Sequence, residues 1–161
     1  MSTDRSAHID ALYMLSRREL SVQQLRDRLL ERDHSPEDVD AAVARLLEDG
    51  SLDDARVARA YIRTAVKVKG RGRLRIQREL REIGVPKEVA AEALAEAFAD
   101  IDERSLIAKA LQKKLRGHMK IETRADYARA YQFLMRQGFS PASVSTALRK
   151  YRKGGDDDLD G

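Results

Sequence analysis

The sequence predicts an all-α protein built from three tandem three-helix repeats in an elongated, curved array. Three observations predict it. Apolar residues recur at steps of three and four along most of the 161 residues, the spacing that gathers them on one face of a helix. Breakers are few, with three prolines and nine glycines, and β-branched runs that would read as strands are missing. The breakers also recur in a fixed frame, Leu29 to Pro36 then Val39 and Val43, Leu80 to Pro86 then Val89 and Ala93, Leu134 to Pro141 then Val144 and Leu148. Proline to proline, these copies are offset by 50 and 55 residues, which marks a repeat architecture.

Nine helical stripes follow in order. Ile9, Leu12, Tyr13 and Ser16 mark the first, Leu25 and Leu29 the second, and Val39, Val43 and Leu46 the third. Val57, Tyr61, Thr64 and Val68 mark the fourth, Ile76, Leu80 and Ile83 the fifth, and Val89, Ala93 and Ala97 the sixth. Ile107, Leu111 and Leu115, then Tyr127, Tyr131 and Leu134, then Val144, Leu148 and Tyr151 complete the set. Ser35-Pro36-Glu37-Asp38 places a hydroxyl at an N-cap, proline at the first helical position and acids near the exposed amides, and Ser140-Pro141 repeats the arrangement. Val85-Pro86 starts a helix without a hydroxyl cap, and Asp53 reads as the N-cap of the helix whose stripe starts just after it at Val57. Gly50, Gly84 and Gly138 stand where helices end, since glycine accepts the left-handed conformation cheaply. The expected organisation is an N-terminal tail at 1–5, repeats at 6–50, 51–99 and 100–151, and a disordered acidic tail at 152–161 whose end reads GGDDDLDG. A repeat of this size is too small to be very stable alone and leans on its neighbours.

Composition narrows the function. Charged residues make up 36% of the chain, well above the ordinary share of ~25%, so placement of charge matters more than the net +4. With no cysteine, thiolate chemistry and disulfides are excluded, and a reducing cytoplasm is the expected setting. MSTDRSAHID carries no apolar signal-peptide region, and no run reaches the ~20 apolar residues of a membrane span. The histidines His8, His34 and His118 are scattered, and no HExxH, P-loop or GxSxG appears. The expectation is a binding protein and not an enzyme, with no cofactor and no metal.

The binding stretch runs from Lys67 to Arg81. Lys67, Lys69, Arg71, Arg73, Arg75, Arg78 and Arg81 face only Glu79 in opposition. Gly70 and Gly72 bracket Arg71, and a glycine-flanked turn entering a helix exposes N–H groups toward an anion. Arginine adds planar forks for carboxylate or phosphate. A solvated charged face and a plain turn are the alternative readings. Arg56, Arg63, Lys109, Lys113, Lys114, Arg149 and Lys150 are accessory candidates. The third repeat's cluster also takes in Arg116, His118 and Lys120, and the last cations equally well offset a helix dipole.

Leu52-Asp53-Asp54, Arg56, Ala58, Tyr61-Ile62, Gly72, Arg75-Ile76, Glu79-Leu80 and Gly84-Val85 together resemble the signature of the RecX family. Val57 stands where members usually carry an aromatic, and Arg73 where a proline often follows the glycine, which makes this turn more basic. The resemblance implies a regulator that binds RecA and lodges in the groove of its nucleoprotein filament. It implies restraint of filament growth, strand exchange, ATP hydrolysis and the co-protease action behind the SOS response. It implies a role in recombinational DNA repair. RecA and the RecA–DNA filament are the expected partners, with possible direct DNA contact, no membrane, and a monomeric chain. The alternative is a free-standing DNA-binding module of helix-turn-helix type. Against it, the third helix of each repeat begins Glu37-Asp38, Lys87-Glu88 or Ala142-Ser143, and asparagine is absent from the chain, so base-reading side chains are poorly supplied.

Overall fold

A computed structural model describes residues 3–116 and 120–156. Among the described residues there are nine helices and no strand. They are α1 Thr3–Arg17, α2 Val22–Glu31, α3 Pro36–Glu48, α4 Asp54–Lys67, α5 Arg73–Glu82, α6 Lys87–Phe98, α7 Glu103–Arg116, α8 Arg124–Gln137 and α9 Pro141–Asp156. The expected N-terminal tail overlaps α1, which starts at Thr3, and α9 continues to Asp156, into the segment read as an acidic tail. Residues 157–161 of that tail, and His118, lie outside the described residues. The chain divides into two compact bodies. One holds the chain up to Tyr61 together with Glu79–Ala93, the other Ile62–Arg78 together with the chain from Leu94 on.

In the first body α1, α2 and α3 pack on one another. Their core is Ala11, Met14, Leu20, Leu25, Leu29, Val39, Val43, Leu46 and Leu52. This corrects the expected face of α1. Ile9, Leu12 and Tyr13 are 53%, 42% and 54% exposed, while Ala7, Ala11 and Met14 face inward. The helix is apolar on two sides, and the side with alanines wins because small residues let the helices approach closely. The Val57–Val68 stripe on α4 is displaced too. Val57, Ala58, Ile62 and Ala65 are buried, Thr64 is exposed, and Val68 is 70% exposed in the turn beyond the helix.

Several polar ties hold the first body. Ser21 caps α2 in a capping box, accepting from the Gln24 N–H at 3.0 Å and donating its own N–H to Gln24 Oε1 at 3.0 Å. Ser21 is fully buried, and its hydroxyl also donates to the carbonyl of Ile83. Beside it, a Cβ added to Gly84 would lie 2.5 Å from Gln23 Cβ. The Val22 N–H donates to Asp54 Oδ1 at 2.9 Å, and burial pushes the Asp54 carboxyl up. Ser35 caps α3 with Pro36 behind it, and Asp53 Oδ1 accepts from the Arg56 N–H, both as expected. His34 Nε2 sits 2.7 Å from Asp10 Oδ2 and joins the α2–α3 turn to α1.

In the second body α7, α8 and α9 pack together around Ile107, Leu111, Ala130, Leu134, Phe139, Val144 and Leu148. Glu103 at the head of α7 secures the head of α9. Its Oε1 accepts from the Ser140 N–H at 3.0 Å and its Oε2 from the Ser143 hydroxyl at 2.8 Å. Gly138 ends α8 with φ +99°, as its position predicts.

The start of α5 meets the end of α8 backbone to backbone. The Gly72 N–H donates to Gln137 O at 2.7 Å and the Leu74 N–H to Gly138 O at 3.0 Å. A Cβ on Gly72 would lie 2.6 Å from the Gly138 carbonyl atoms, and one on Gly138 would lie 2.5 Å from the Arg75 nitrogen. Glycine is thus required on both sides, at Gly138 for its φ as well. Gly138→Ala is expected to cost about 3 kcal/mol, combining left-handed strain with overpacking. Gly50→Ala, with φ +79° but open space around its Cβ, is expected to cost only about 1 kcal/mol. Ser21→Ala, losing a cap and leaving a buried carbonyl, is expected to cost about 2 kcal/mol. Urea unfolding midpoints check all three.

Candidate functional site

The second body carries an open groove of about 760 Å³. One wall comes from α7, where Leu106, Lys109, Ala110, Lys113 and Lys114 follow helical steps along one stripe. The opposite wall comes from α8, where Arg129, Gln132, Phe133, Arg136 and Gln137 do the same. The end of α4 and the turn after it, Lys67 to Gly70, close the groove. Among the described residues its lining holds seven cations (Lys67, Lys69, Lys109, Lys113, Lys114, Arg129 and Arg136) and no carboxylate. Between the cations lies apolar surface from Val68, Leu106, Ala110 and Phe133. The Lys114 ammonium stands 4.7 Å from the centroid of the Phe133 ring, a cation–π contact.

One of these cations already has a counter-ion. Arg129 is paired with Asp126 one turn back on α8. The Arg129 hydrogen bond, backed by the N–H of Glu122, lowers the Asp126 carboxyl to about 2. Asp126 also closes the capping box of α8, since Thr123 accepts from its N–H at 3.1 Å and the Thr123 N–H returns to Asp126 Oδ2 at 3.1 Å.

The basic run of the sequence does not form one face. Lys67 and Lys69 enter the groove and meet the accessory candidates Lys109, Lys113 and Lys114. Arg75 and Arg78 line a separate shallow depression with Leu74, Met135 and Arg136. There Arg75 Nη1 donates to Arg136 O at 3.2 Å. Arg71 is half-buried, and the Arg73 guanidinium sits 5.9 Å from the Phe98 ring centroid. Arg81 is exposed on the first body, Arg63 is exposed on α4, and Arg149 and Lys150 are exposed on α9, with Lys150 5.1 Å from the Tyr151 ring centroid.

Two expectations change. The glycine turn is not an open nest of N–H groups. The N–H of Arg71 donates to Ala65 O at 3.0 Å, and those of Gly72 and Leu74 go to the end of α8. Arg56 serves the fold of the first body. Its Nε reaches Glu19 Oε1 at 2.8 Å, and its other nitrogens reach the carbonyls of Gly50 and Ser51 at 2.9 and 3.0 Å. Glu79, the acid within the basic run, is largely buried. It accepts from the Tyr61 hydroxyl, and desolvation, with the Glu82 charge, holds its carboxyl above the ordinary range. Sequence reading missed Arg129, Arg136 and Phe133. Their signal was a second stripe on α8 beside the core stripe.

No helix among the described residues is long and apolar enough to cross a membrane, and no cluster of metal-ligating side chains occurs among them. Fold and site together define an all-helical repeat protein with a groove that is basic and partly apolar. Comparison with known proteins specifies it further. The chain matches the first three-helix domain of RecX over residues 7–46, the second over 53–94 and the third over 102–148. It is 35% identical over 138 residues to the regulatory protein RecX of Vibrio parahaemolyticus, covering 86% of each chain. It is 35% identical over 137 residues to that of Halorhodospira halophila, covering 85% of this chain and 83% of the other. The crystal structure of RecX from Lactobacillus salivarius superposes with a TM-score of 0.79 at 19% identity over 93% of this chain and 97% of the other, a likeness of fold. The chain therefore belongs to the RecX family, and a regulatory role of the RecX kind comes with that membership.

The Asp126–Arg129 pair has a defined acid response. Because the Asp126 carboxyl is depressed in the fold, the pair is intact above the ordinary value of 3.8 and is lost as pH falls through about 2. An NMR titration of Asp126 is expected to give a midpoint near 2, and Arg129→Gln to move it up toward 3.8.

Proposed function

We propose that this chain binds RecA and the RecA–DNA filament and restrains filament extension, ATP hydrolysis, strand exchange and co-protease activity. It thereby tempers recombinational DNA repair and the SOS response, acting as a monomer in the cytoplasm. The observation that carries this reading is the match to all three RecX domains in order along one chain. The basic groove supports it, since an acid-free cluster of exposed cations attracts an acidic protein surface or phosphate and speeds encounter. Domains in tandem multiply weak contacts through effective concentration.

The groove cations are the partner-binding residues in this reading, with Lys67, Lys69, Lys109, Lys113 and Lys114 foremost. Arg63, Arg71, Arg73, Arg75, Arg78, Arg149 and Lys150 on the second body, and Arg81 on the first, are the further candidates for contact with the filament or with DNA. The test is the single-strand-DNA-dependent ATPase of RecA with substoichiometric amounts of this protein. The parent chain is expected to inhibit. Lys109→Ala, Lys113→Ala and Lys114→Ala combined are expected to raise the concentration for half-inhibition about tenfold, roughly 1.4 kcal/mol, with the helical circular dichroism unchanged. Failure of the parent to inhibit RecA, together with tight sequence-dependent binding to duplex DNA alone, would overturn the reading in favour of a free-standing DNA-binding module.

A further inference from the structure

We infer that the groove between α7 and α8 is a peptide site, which takes an acidic segment of a partner protein anchored by one aliphatic or aromatic side chain. The inference rests on reading this groove as a partner-binding surface, and it names the chemistry of what enters. Three features favour an acidic peptide over a nucleic acid.

The first is the kind of cation. Five of the seven are lysines, and of the two arginines Arg129 is already paired with Asp126. Lysine offers a mobile point charge that meets a carboxylate in any orientation, whereas an arginine fork grips phosphate or carboxylate in one fixed bidentate geometry. The second is the floor. Val68 stands 70% exposed beside the lysines. A sugar-phosphate strand buries nothing on such a surface, but a leucine or phenylalanine side chain does.

The third is the aromatic. Base stacking needs open ring faces in series. Phe133 is the one aromatic among the described residues of the lining, and the Lys114 ammonium lies 4.7 Å from its centroid. The groove's size fits a short segment and not an extended track, since cavities of ~300–1,000 Å³ hold a ligand of a few side chains.

The chain's own Asp156–Asp160 run, four aspartates around Leu159, has the same chemistry, and the experiment separates the two sources. Fluorescence anisotropy of the full chain would use three labelled probes: an aspartate- and glutamate-rich peptide with one central leucine, the same peptide with that leucine replaced by serine, and an oligothymidylate of equal length. The leucine peptide is expected to bind. The serine peptide should bind about tenfold more weakly. Lys113→Glu with Lys114→Glu, and separately Val68→Asp, should each weaken the leucine peptide tenfold or more. All three positions are exposed, and circular dichroism monitors the fold.

The inference is overturned by any of three results. The oligothymidylate could bind more tightly than the peptide and be lost in the same variants. The peptide could bind the variants as well as the parent. Asp156→Asn, Asp157→Asn, Asp158→Asn and Asp160→Asn combined could tighten the peptide tenfold, showing that the chain's own tail fills the groove. RecA inhibition is scored separately. A parent chain that inhibits RecA while Val68→Asp changes neither inhibition nor peptide binding defeats the peptide site and leaves the regulator standing. A parent that binds the peptide but does not inhibit RecA does the reverse.

Discussion

The contact between Gly72 and Gly138 is the constraint on which the basic groove depends. Two backbones approach so closely there that neither position has room for a methyl group. The approach is held by the N–H groups of Gly72 and Leu74, which satisfy the carbonyls of Gln137 and Gly138 at the end of α8. Free carbonyls at a helix C-terminus and free N–H groups at a helix N-terminus are the two sets of orphaned groups that every helix pair must satisfy somehow. Joining them end to end satisfies both at once. It also delivers the turn before α5, with Lys67, Val68 and Lys69, to the side of α7 and α8 where the other cations stand. The turn's N–H groups are thereby withdrawn from anion binding, and its lysine side chains are put in position for it.

The repeat frame puts a left-handed residue four positions after its leucine, at Asp33, Gly84 and Gly138, while Gly50 ends the third helix of the first repeat outside that frame. Gly50 has open space around it, so its left-handed φ is a local requirement of the turn alone. Gly84 is packed against Gln23 and the hydroxyl of Ser21, which also binds the carbonyl of the preceding Ile83. Gly138 is packed against Arg75. Two of the three turns have therefore become docking points, each against the start of a helix distant in sequence. A repeat frame thus conserves the turn geometry while leaving each turn free to take a different neighbour, which is how helix-turn units lean on one another without identical interfaces.

Much of the fold was legible because its signals are local. Caps such as Ser35 with Pro36, Asp53 and Gly138 act within one turn of chain, and α2, α3, α7 and α9 each carry one dominant apolar face. Where a helix is apolar on two sides, residue size misleads. On α1 the large Ile9, Leu12 and Tyr13 outweigh Ala7 and Ala11 in any reading by hydrophobicity, yet close helix packing selects the alanines. The site was half legible. Lys67, Lys69, Lys109, Lys113 and Lys114 were visible as charge, but their assembly was not, because it depends on a glycine pair separated by sixty-six positions. The run from Lys67 to Arg81 looked like one surface because neighbours in sequence look like neighbours in space. On a helix they fan out, and Arg73 and Arg75 turn to Phe98 and to the carbonyl of Arg136 instead.

The cost of the groove bears on its purpose. Seven like charges share one concavity with no carboxylate among the described residues of its lining, and among exposed groups each such repulsion costs a fraction of a kcal/mol. Elsewhere the same chain neutralises its cations, as Arg26 is by Asp40 and Arg56 by Glu19. Among the described residues only Arg129 of the groove has such a counter-ion, and its acid, Asp126, is committed to capping α8. Exposed valine beside exposed lysine adds a second unfavourable term, since Val68 gains nothing from water. Both terms are relieved together by an occupant that carries negative charge and apolar surface in the same few residues. A surface shaped by solubility alone would interleave acids with these lysines and cover the valine, which supports the proposed reading of the groove as one half of an interface.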